Sequence, residues 1–201
     1  ELLDVLNIVY NNLSKIDGHS SDAARIVKAM GQLVRTRDTR FVVTDINDLI
    51  TENVNKAAEE AMAELKEFKV KIETELDKKN LKIEVLPSEI GTVVNNIIDN
   101  AFYTVHDKYQ STKDYTPEIK VSTMFNDNNC EVRIKDNGKG IGSNEKEKLF
   151  QPFQTTKPTS QGVGLGLYIS YDIIKTHNGN IIVNSKEGEY TEFVVTLPIN
   201  N

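Results

Sequence analysis

An α/β two-layer sandwich with its helices on one face, preceded by one long helix, is the architecture that this 201-residue sequence predicts. Three observations point to it. Apolar residues in the first forty positions recur at steps of four and three, the seam of a bundle or coiled-coil helix. Beyond them, runs with helical apolar spacing follow short runs rich in valine and isoleucine. Turn-forming clusters such as Asp77-Lys-Lys-Asn80 and Asn126-Asp-Asn-Asn129 separate those runs.

The elements follow in order. Leu2, Leu6, Val9, Leu13, Ile16, Ser20, Ala23, Val27, Met30 and Val34 keep one unbroken phase, and only Ser20 is not apolar. Asp17-Gly18 would suit a turn, yet the continuous phase predicts a single helix through it, with Gly18 costing about 1 kcal/mol relative to alanine. Asp38-Thr39-Arg40 ends this helix, so residues 1–40 form one unit and residues 41–201 another. Phe41 to Asn47 reads as a strand and a helix start. Asn47 to about Lys66 is amphipathic through Ile50, Val54, Ala57, Ala58, Ala61 and Leu65, as a helix lying on a sheet should be. Phe68 to Leu76 and Lys82 to Leu86 read as strands around the Asp77 turn. Pro87 suits the first turn of an apolar helix that His106 ends. Ile119 to Met124 and Cys130 to Lys135 pair across the Asn126 turn. A helix from Leu165 to Lys175 stops near Gly179, and Ile181 to Asn184 with Glu192 to Leu197 close the sheet.

Composition narrows the partners. A formal net charge of -6 and the lack of a basic run argue against nucleic acid. Cys130 is the single cysteine, so no intrachain disulfide can form and a reducing compartment fits. No apolar run approaches a membrane span and no secretory leader is seen, so the expectation is a cytoplasmic domain without membrane contact of its own, whether or not its parent protein is anchored.

Three polar motifs interrupt the apolar pattern. Asn96 and Asn100 lie four apart in an otherwise apolar helix, so both amides project from one face. One amide at the edge of the stripe could simply meet solvent, but two in register suit the edge of a ligand. An amide oxygen is also a hard ligand suited to Mg2+, which makes Asn100 the candidate metal ligand. Asp136 ends a strand and is followed by Gly138, Gly140 and Ile141. Its carboxylate can accept a hydrogen bond from an exocyclic amine such as that of adenine, with the glycines letting backbone approach a flat ring. An ordinary Asp-Asn-Gly turn is the plain alternative. Gly162, Val163, Gly164, Leu165 and Gly166 open a helix and could form a nest of backbone amides for an anion, although a flexible linker would explain them nearly as well. Phosphate-loop, dinucleotide and His-Arg-Asp signatures are missing.

In this order, the motifs resemble the N, G1 and G2 boxes of the GHKL, or Bergerat-fold, ATP-binding superfamily. Leu149-Phe150-Gln-Pro-Phe153-Gln-Thr-Thr-Lys157 resembles its F box, and Gly188 to Pro198 resembles its closing strand, which carries Thr191. The resemblance covers about residues 45–198. It implies a mixed sheet, ATP held between helices and a lid, and a nucleotide contact at Lys157. Hydrolysing members of the superfamily (type II topoisomerases, Hsp90, MutL) carry a glutamate one turn before the metal-binding asparagine. Asn96 stands at that position here, and an amide cannot serve as a general base. Asparagine there is the sensor histidine kinase pattern. One departure is visible: where many members follow the second asparagine with Ala-x-Lys-Tyr, this sequence reads Ala101-Phe102-Tyr103-Thr104.

The resemblance therefore implies the ATP- and Mg2+-binding catalytic domain of a sensor histidine kinase, with residues 1–40 as the second helix of its dimerisation bundle. The implied partners are the parent protein's own histidine-bearing helix, within a homodimer, and a response-regulator receiver domain. None of His19, His106 and His177 sits in a His-Glu/Asp-x-x-x-Pro box, so the phosphoacceptor is expected upstream and these three in helix-terminal or surface roles. Two other readings stay open at this stage. One is a degenerate nucleotide-binding or interaction module of a two-component system, and the other is a GHKL ATPase.

Overall fold

The computed structural model describes residues 40–64, 68–79, 82–126, 128–157 and 162–199, with Asn12, Ser20, Ala23, Ala24, Val27 and Gly31 from the N-terminal stretch. Of the predicted seam, Ser20, Ala23 and Val27 are helical and exposed, and its other positions lie outside the described residues. The chain then runs β1 (Val42–Asp45), α1 (Ile46–Glu64), β2 (Lys71–Glu75), β3 (Lys82–Val85), α2 (Pro87–Ser111), β4 (Glu118–Phe125) and β5 (Asn129–Asp136). A short α3 (Ser143–Lys146), α4 (Gly166–Thr176), β6 (Asn180–Lys186) and β7 (Tyr190–Pro198) complete it. Among the described residues no helix is long and apolar enough to cross a membrane.

Five strands form a mixed sheet in the order β2-β4-β5-β7-β6, with β2 parallel to β4 and every other pair antiparallel. Alternation sets its faces. Ile119, Val121 and Phe125 of β4, Cys130, Val132 and Ile134 of β5, and Phe193, Val195 and Leu197 of β7 are buried. Met124 and Ile182 on the other face are about half exposed. Ile46, Ile50 and Val54 of α1, Ile90, Val94, Ile97, Ile98 and Val105 of α2, and Ile169, Ile173 and Ile174 of α4 join the same core. Each such side chain contributes about 1.5–3 kcal/mol on burial, so three amphipathic helices and one sheet face suffice to define two layers.

The strands on either side of the Asp77 turn do not share a sheet. β3 pairs with β1 in a separate two-stranded ribbon, while β2 joins the main sheet. A polar network fixes this parting. Asp77 N donates to Thr123 Oγ1 (2.9 Å), Phe125 N donates to Asp77 Oδ2 (2.9 Å), and Asn47 Nδ2 donates to the Asp77 carbonyl (2.9 Å). Thr123 in turn donates to Asn47 Oδ1 at 2.7 Å. The turn is thereby fastened to β4 and to the start of α1, and the chain leaves it toward β1.

Helix α2 also runs further than its pattern predicts, to Ser111, so His106 lies inside it and not at its end. Its last turns are polar and carry no apolar period, but Phe68 holds them, its ring packing edge-on against His106 (4.9 Å) and Tyr109 (5.3 Å). At the far end of α4, Asn178 takes the left-handed conformation (φ 55°). Gly179 N then donates to Ile174 O (2.9 Å) and Asn178 N to Lys175 O (3.0 Å), a Schellman closure that stops the helix near Gly179 as its sequence predicts.

Candidate nucleotide-binding site

Between α2, the turn after β5, α3, β7 and the 154–157 segment lies a cavity of about 410 Å³. That is within the roughly 300–1,000 Å³ of small-molecule clefts. Asp136 forms part of its inner wall and is only 4 % exposed. Oδ1 of Asp136 accepts the Gly138 N–H at 2.9 Å and lies 3.1 Å from the Thr104 hydroxyl. Burial pushes this carboxyl up to about 6, against the opposing pull of the Gly138 N–H, the Thr104 hydroxyl, the Lys108 cation and the Thr191 backbone. Ile141, Leu149, Leu167 and Phe193 supply apolar walls around it. A buried acceptor beside apolar walls suits a flat ring that carries an amine.

The glycines after Asp136 serve the protein before they serve a ligand. A Cβ on Gly138 would meet Thr104 Oγ1 at 2.6 Å and Asp136 Oδ1 at 2.7 Å. Gly140 has φ +67°, and a Cβ there would stand 2.1 Å from the Lys186 carbonyl oxygen. Gly140 and Ile141 line the cavity, whereas Gly138 packs behind it. The expected room for a ring is therefore made by Gly140 alone of the two.

Asn96 and Asn100, the two candidates on α2, divide. Asn100 lines the cavity, and its amide has no hydrogen-bond partner among the described residues. A free amide oxygen on the wall of such a cleft fits a hard cation such as Mg2+, which keeps several waters and takes few protein ligands. Asn96 lies outside the lining. Its Nδ2 donates to Gly166 O (2.9 Å) and Ser170 Oγ (3.1 Å), so it bridges α2 to α4. Four residues advance about 40° beyond one full turn, enough to aim one amide at α4 and the other at the cleft.

Gly162, Val163, Gly164, Leu165 and Gly166 do not line the cavity, although the next position, Leu167, does. Gly164 has φ +72° and passes so close to the 153–154 backbone that a Cβ would meet the Phe153 carbonyl carbon at 2.6 Å. The run does open a helix, as predicted, at Gly166. Lys157 and Thr191 line the cavity. Nζ of Lys157 sits 4.9 Å from the centre of the Tyr103 ring, and burial lowers its pKa while the nearby Asp99 raises it. Tyr103 and Thr104, the two departures from the common motif, thus both reach the cleft. Sequence reasoning also missed Asn144 and Lys148 on its rim; neither belongs to a pattern with a period or a motif.

Two histidines fall within the described residues. His177 is buried at the end of α4, where Nε2 accepts the Leu86 N–H (3.0 Å) and Nδ1 lies 2.8 Å from the Ile173 carbonyl, an arrangement that requires the neutral ring with its proton on Nδ1. His106 packs on Phe68 at the half-exposed surface of α2. His19 lies outside the described residues.

The sandwich and its cleft define a GHKL-type ATP-binding catalytic domain. The family model described as "Histidine kinase-, DNA gyrase B-, and HSP90-like ATPase" matches residues 85–201, and the chain belongs to that family. The catalytic domain of histidine kinase ThkA has the same fold, with a TM-score of 0.66 and 28 % identity over 80 % of this chain and 97 % of that one. The mycobacterial sensor histidine kinase MprB shares the fold at a TM-score of 0.63 and 21 % identity, over 80 % of this chain and 98 % of that one. In sequence, Sensor protein kinase WalK of Staphylococcus aureus is 36 % identical over 129 residues, 62 % of this chain and 29 % of that protein. Sensor histidine kinase ZraS of Salmonella typhi is 29 % identical over 175 residues, 87 % of this chain and 35 % of that protein. The chain thus spans about a third of the length of these two relatives.

Proposed function

We propose that this chain is the ATP-binding part of a sensor histidine kinase, and that the γ-phosphate of ATP held in the cleft passes to a histidine on a dimerisation helix for relay to a response-regulator aspartate. The observation that carries this reading is Asn96. It stands where a hydrolysing relative would need a carboxylate, and its Nδ2 hydrogens are occupied by Gly166 O and Ser170 Oγ. An amide has no useful basicity, so this position offers an attacking water no base and the phosphoryl group is kept for another acceptor.

The other residues take roles that their positions support. Asp136 accepts the adenine amine, with Gly140, Ile141 and Thr191 around the ring. Asn100 offers its amide oxygen to Mg2+, which when bound neutralises charge on the phosphates during transfer. Lys157 leaves the Tyr103 ring for the γ-phosphate, and the backbone amides of Gly162 to Gly166 close on the phosphate chain as the 154–157 segment folds over it. Residues 1–40 supply the second helix of the bundle, so the partners are a second copy carrying the histidine helix and a receiver domain.

Incubation with γ-labelled ATP and Mg2+ tests this. The 201-residue chain should bind ATP without labelling itself, and a longer form or a separately supplied first helix with its His box should become labelled. Acid-labile label on this chain would make one of His19, His106 or His177 the acceptor. Rapid release of phosphate would return the protein to the ATPases.

A further inference from the structure

Lys108 is the one cation of α2 that the roles above leave unused, and its surroundings are unusual. Nζ donates to the carbonyls of Asn137 (2.8 Å), Gly138 (3.0 Å) and Gly188 (2.9 Å). All three ammonium donors are therefore taken by backbone oxygens. The Tyr115 ring covers the same nitrogen at 4.9 Å. Among the described residues no carboxylate lies within ion-pair distance of it. A partly buried ammonium that gives up water for three carbonyls must hold them in a set arrangement to recover its desolvation cost.

The arrangement bears on Asp136. A trans peptide unit points its C=O and its N–H in opposite directions. The Asn137 carbonyl turns toward Lys108, so the N–H of the same unit, that of Gly138, turns the other way and donates to Asp136 Oδ1 at 2.9 Å. The Gly188 carbonyl brings the β6–β7 hairpin onto the same cation, beside the Gly188 N to Lys139 O bond. We propose that Lys108 is the positioning residue for adenine recognition: by gathering these carbonyls it locks the turn after β5 to the hairpin and fixes the direction of the Asp136 carboxylate. This deepens the nucleotide reading and rests on it.

Charge adds a second readout. Lys108 from α2 and the Tyr115 hydroxyl from the segment before β4 bear on Asp136 from behind, Glu145, Lys148 and Lys157 line the same cavity in front of it, and Lys139 turns outward to Asp107 at 2.8 Å. The Lys108 cation holds the Asp136 pKa down, so its removal lets that pKa rise. The carboxylate form accepts the amine, so binding then fails at a higher pH than in the wild type.

The test is calorimetry of Mg2+-ATP binding to the 201-residue chain and its Lys108→Met and Lys108→Gln variants from pH 5.5 to 8, with thermal denaturation alongside. Lys108→Met should bind between about tenfold and a hundredfold more weakly, with the acid edge of its binding profile moved up. Lys108→Gln keeps a donor without the charge, and should recover part of the affinity while keeping the displaced edge. The titration of ATP itself is common to all three. Wild-type affinity and an unmoved edge in Lys108→Met would overturn the proposal, as would unfolding of both variants, since the cation would then hold the domain and not the site. A wild type that binds no ATP removes the nucleotide reading instead. Hydrogen exchange at the Gly138 amide then decides the pin alone: faster exchange in Lys108→Met supports it, and unchanged exchange refutes it.

Discussion

The side-chain amide of Asn96 donates to the backbone carbonyl of Gly166 at 2.9 Å, joining the middle of α2 to the first residue of α4. The same Nδ2 reaches Ser170 Oγ, which is fully buried and itself donates to Gly166 O at 2.9 Å. Removing one partner of a buried hydrogen bond costs about 1–3 kcal/mol. Asn96→Ala should therefore lower stability by about that amount in urea denaturation. Asn96→Asp should cost more, because it turns a partly buried carboxylate toward the Gly166 carbonyl oxygen, which can only accept a hydrogen. A neutral Asn96→Ala would show that the two helices pack without the bridge.

Asp136 sets stability against binding. Its folded pKa is raised to about 6, mainly by burial, above the roughly 3.9 of a free aspartate. A raised carboxyl pKa means that the folded state holds its proton longer than the unfolded one. This destabilising contribution is absent at low pH, grows as pH rises from about 4 to 6, and is fully present above that. Asp136→Asn should stabilise the nucleotide-free domain at pH 7.5 by on the order of 1–3 kcal/mol, and the gain should vanish near pH 4. The same change presents a donor to the adenine amine and should abolish selectivity for ATP over GTP. Denaturation at both pH values and calorimetry with both nucleotides check the two halves. Equal ATP affinity in wild type and variant would remove adenine from Asp136.

Much of this arrangement is legible in the sequence. The inward alternation of β4 and β5 and the apolar stripe of α2 follow directly from residue order, and Asn100, Asp136, Gly140, Ile141, Lys157 and Thr191 converge on one cleft. What is not legible depends on contacts far along the chain. Asp77-Lys-Lys-Asn80 announces a turn, but only Asn47 and Thr123, each more than 29 positions away, decide that its flanks part. The polar end of α2 has no period to read, since Phe68 holds it from outside. Spacing puts Asn96 and Asn100 on one helix face, yet cannot say that α4 will occupy half of that face. The glycines after Asp136 and before α4 look alike in sequence, while the close approach of Lys186 and Phe153 explains Gly140 and Gly164 individually.

Asn100 carries the metal dependence. Its amide lines the cleft without a hydrogen-bond partner among the described residues, so their packing does not rely on it. Asn100→Ala should leave the thermal midpoint close to wild type and remove most of the gain in ATP affinity that Mg2+ confers. Paired titrations with Mg2+ and with a chelator measure that gain directly. If Asn100→Ala binds Mg2+-ATP as the wild type does, the amide is no metal ligand.

Lys157 and Tyr103 set the resting position of the segment above the cleft. The ammonium lies 4.9 Å from the ring centre, partly removed from water, which lowers its pKa. A cation–π contact of this kind contributes about 0.5–2 kcal/mol, small beside a charge-assisted bond to phosphate. Nucleotide should therefore draw Lys157 off the ring. Lys157→Ala should weaken ATP binding while leaving adenosine binding nearly unchanged, because only the phosphates lose a partner. Tyr103→Leu removes the competing ring and should leave ATP binding intact or slightly tighter. Gln154 to Lys157 are polar apart from their stems and bury little apolar area, so their amides should exchange quickly in the free protein and slow on nucleotide binding. Slow exchange from Thr155 to Gly162 without nucleotide, unchanged when it is added, would mean that this segment is a fixed wall of the cleft and not its lid.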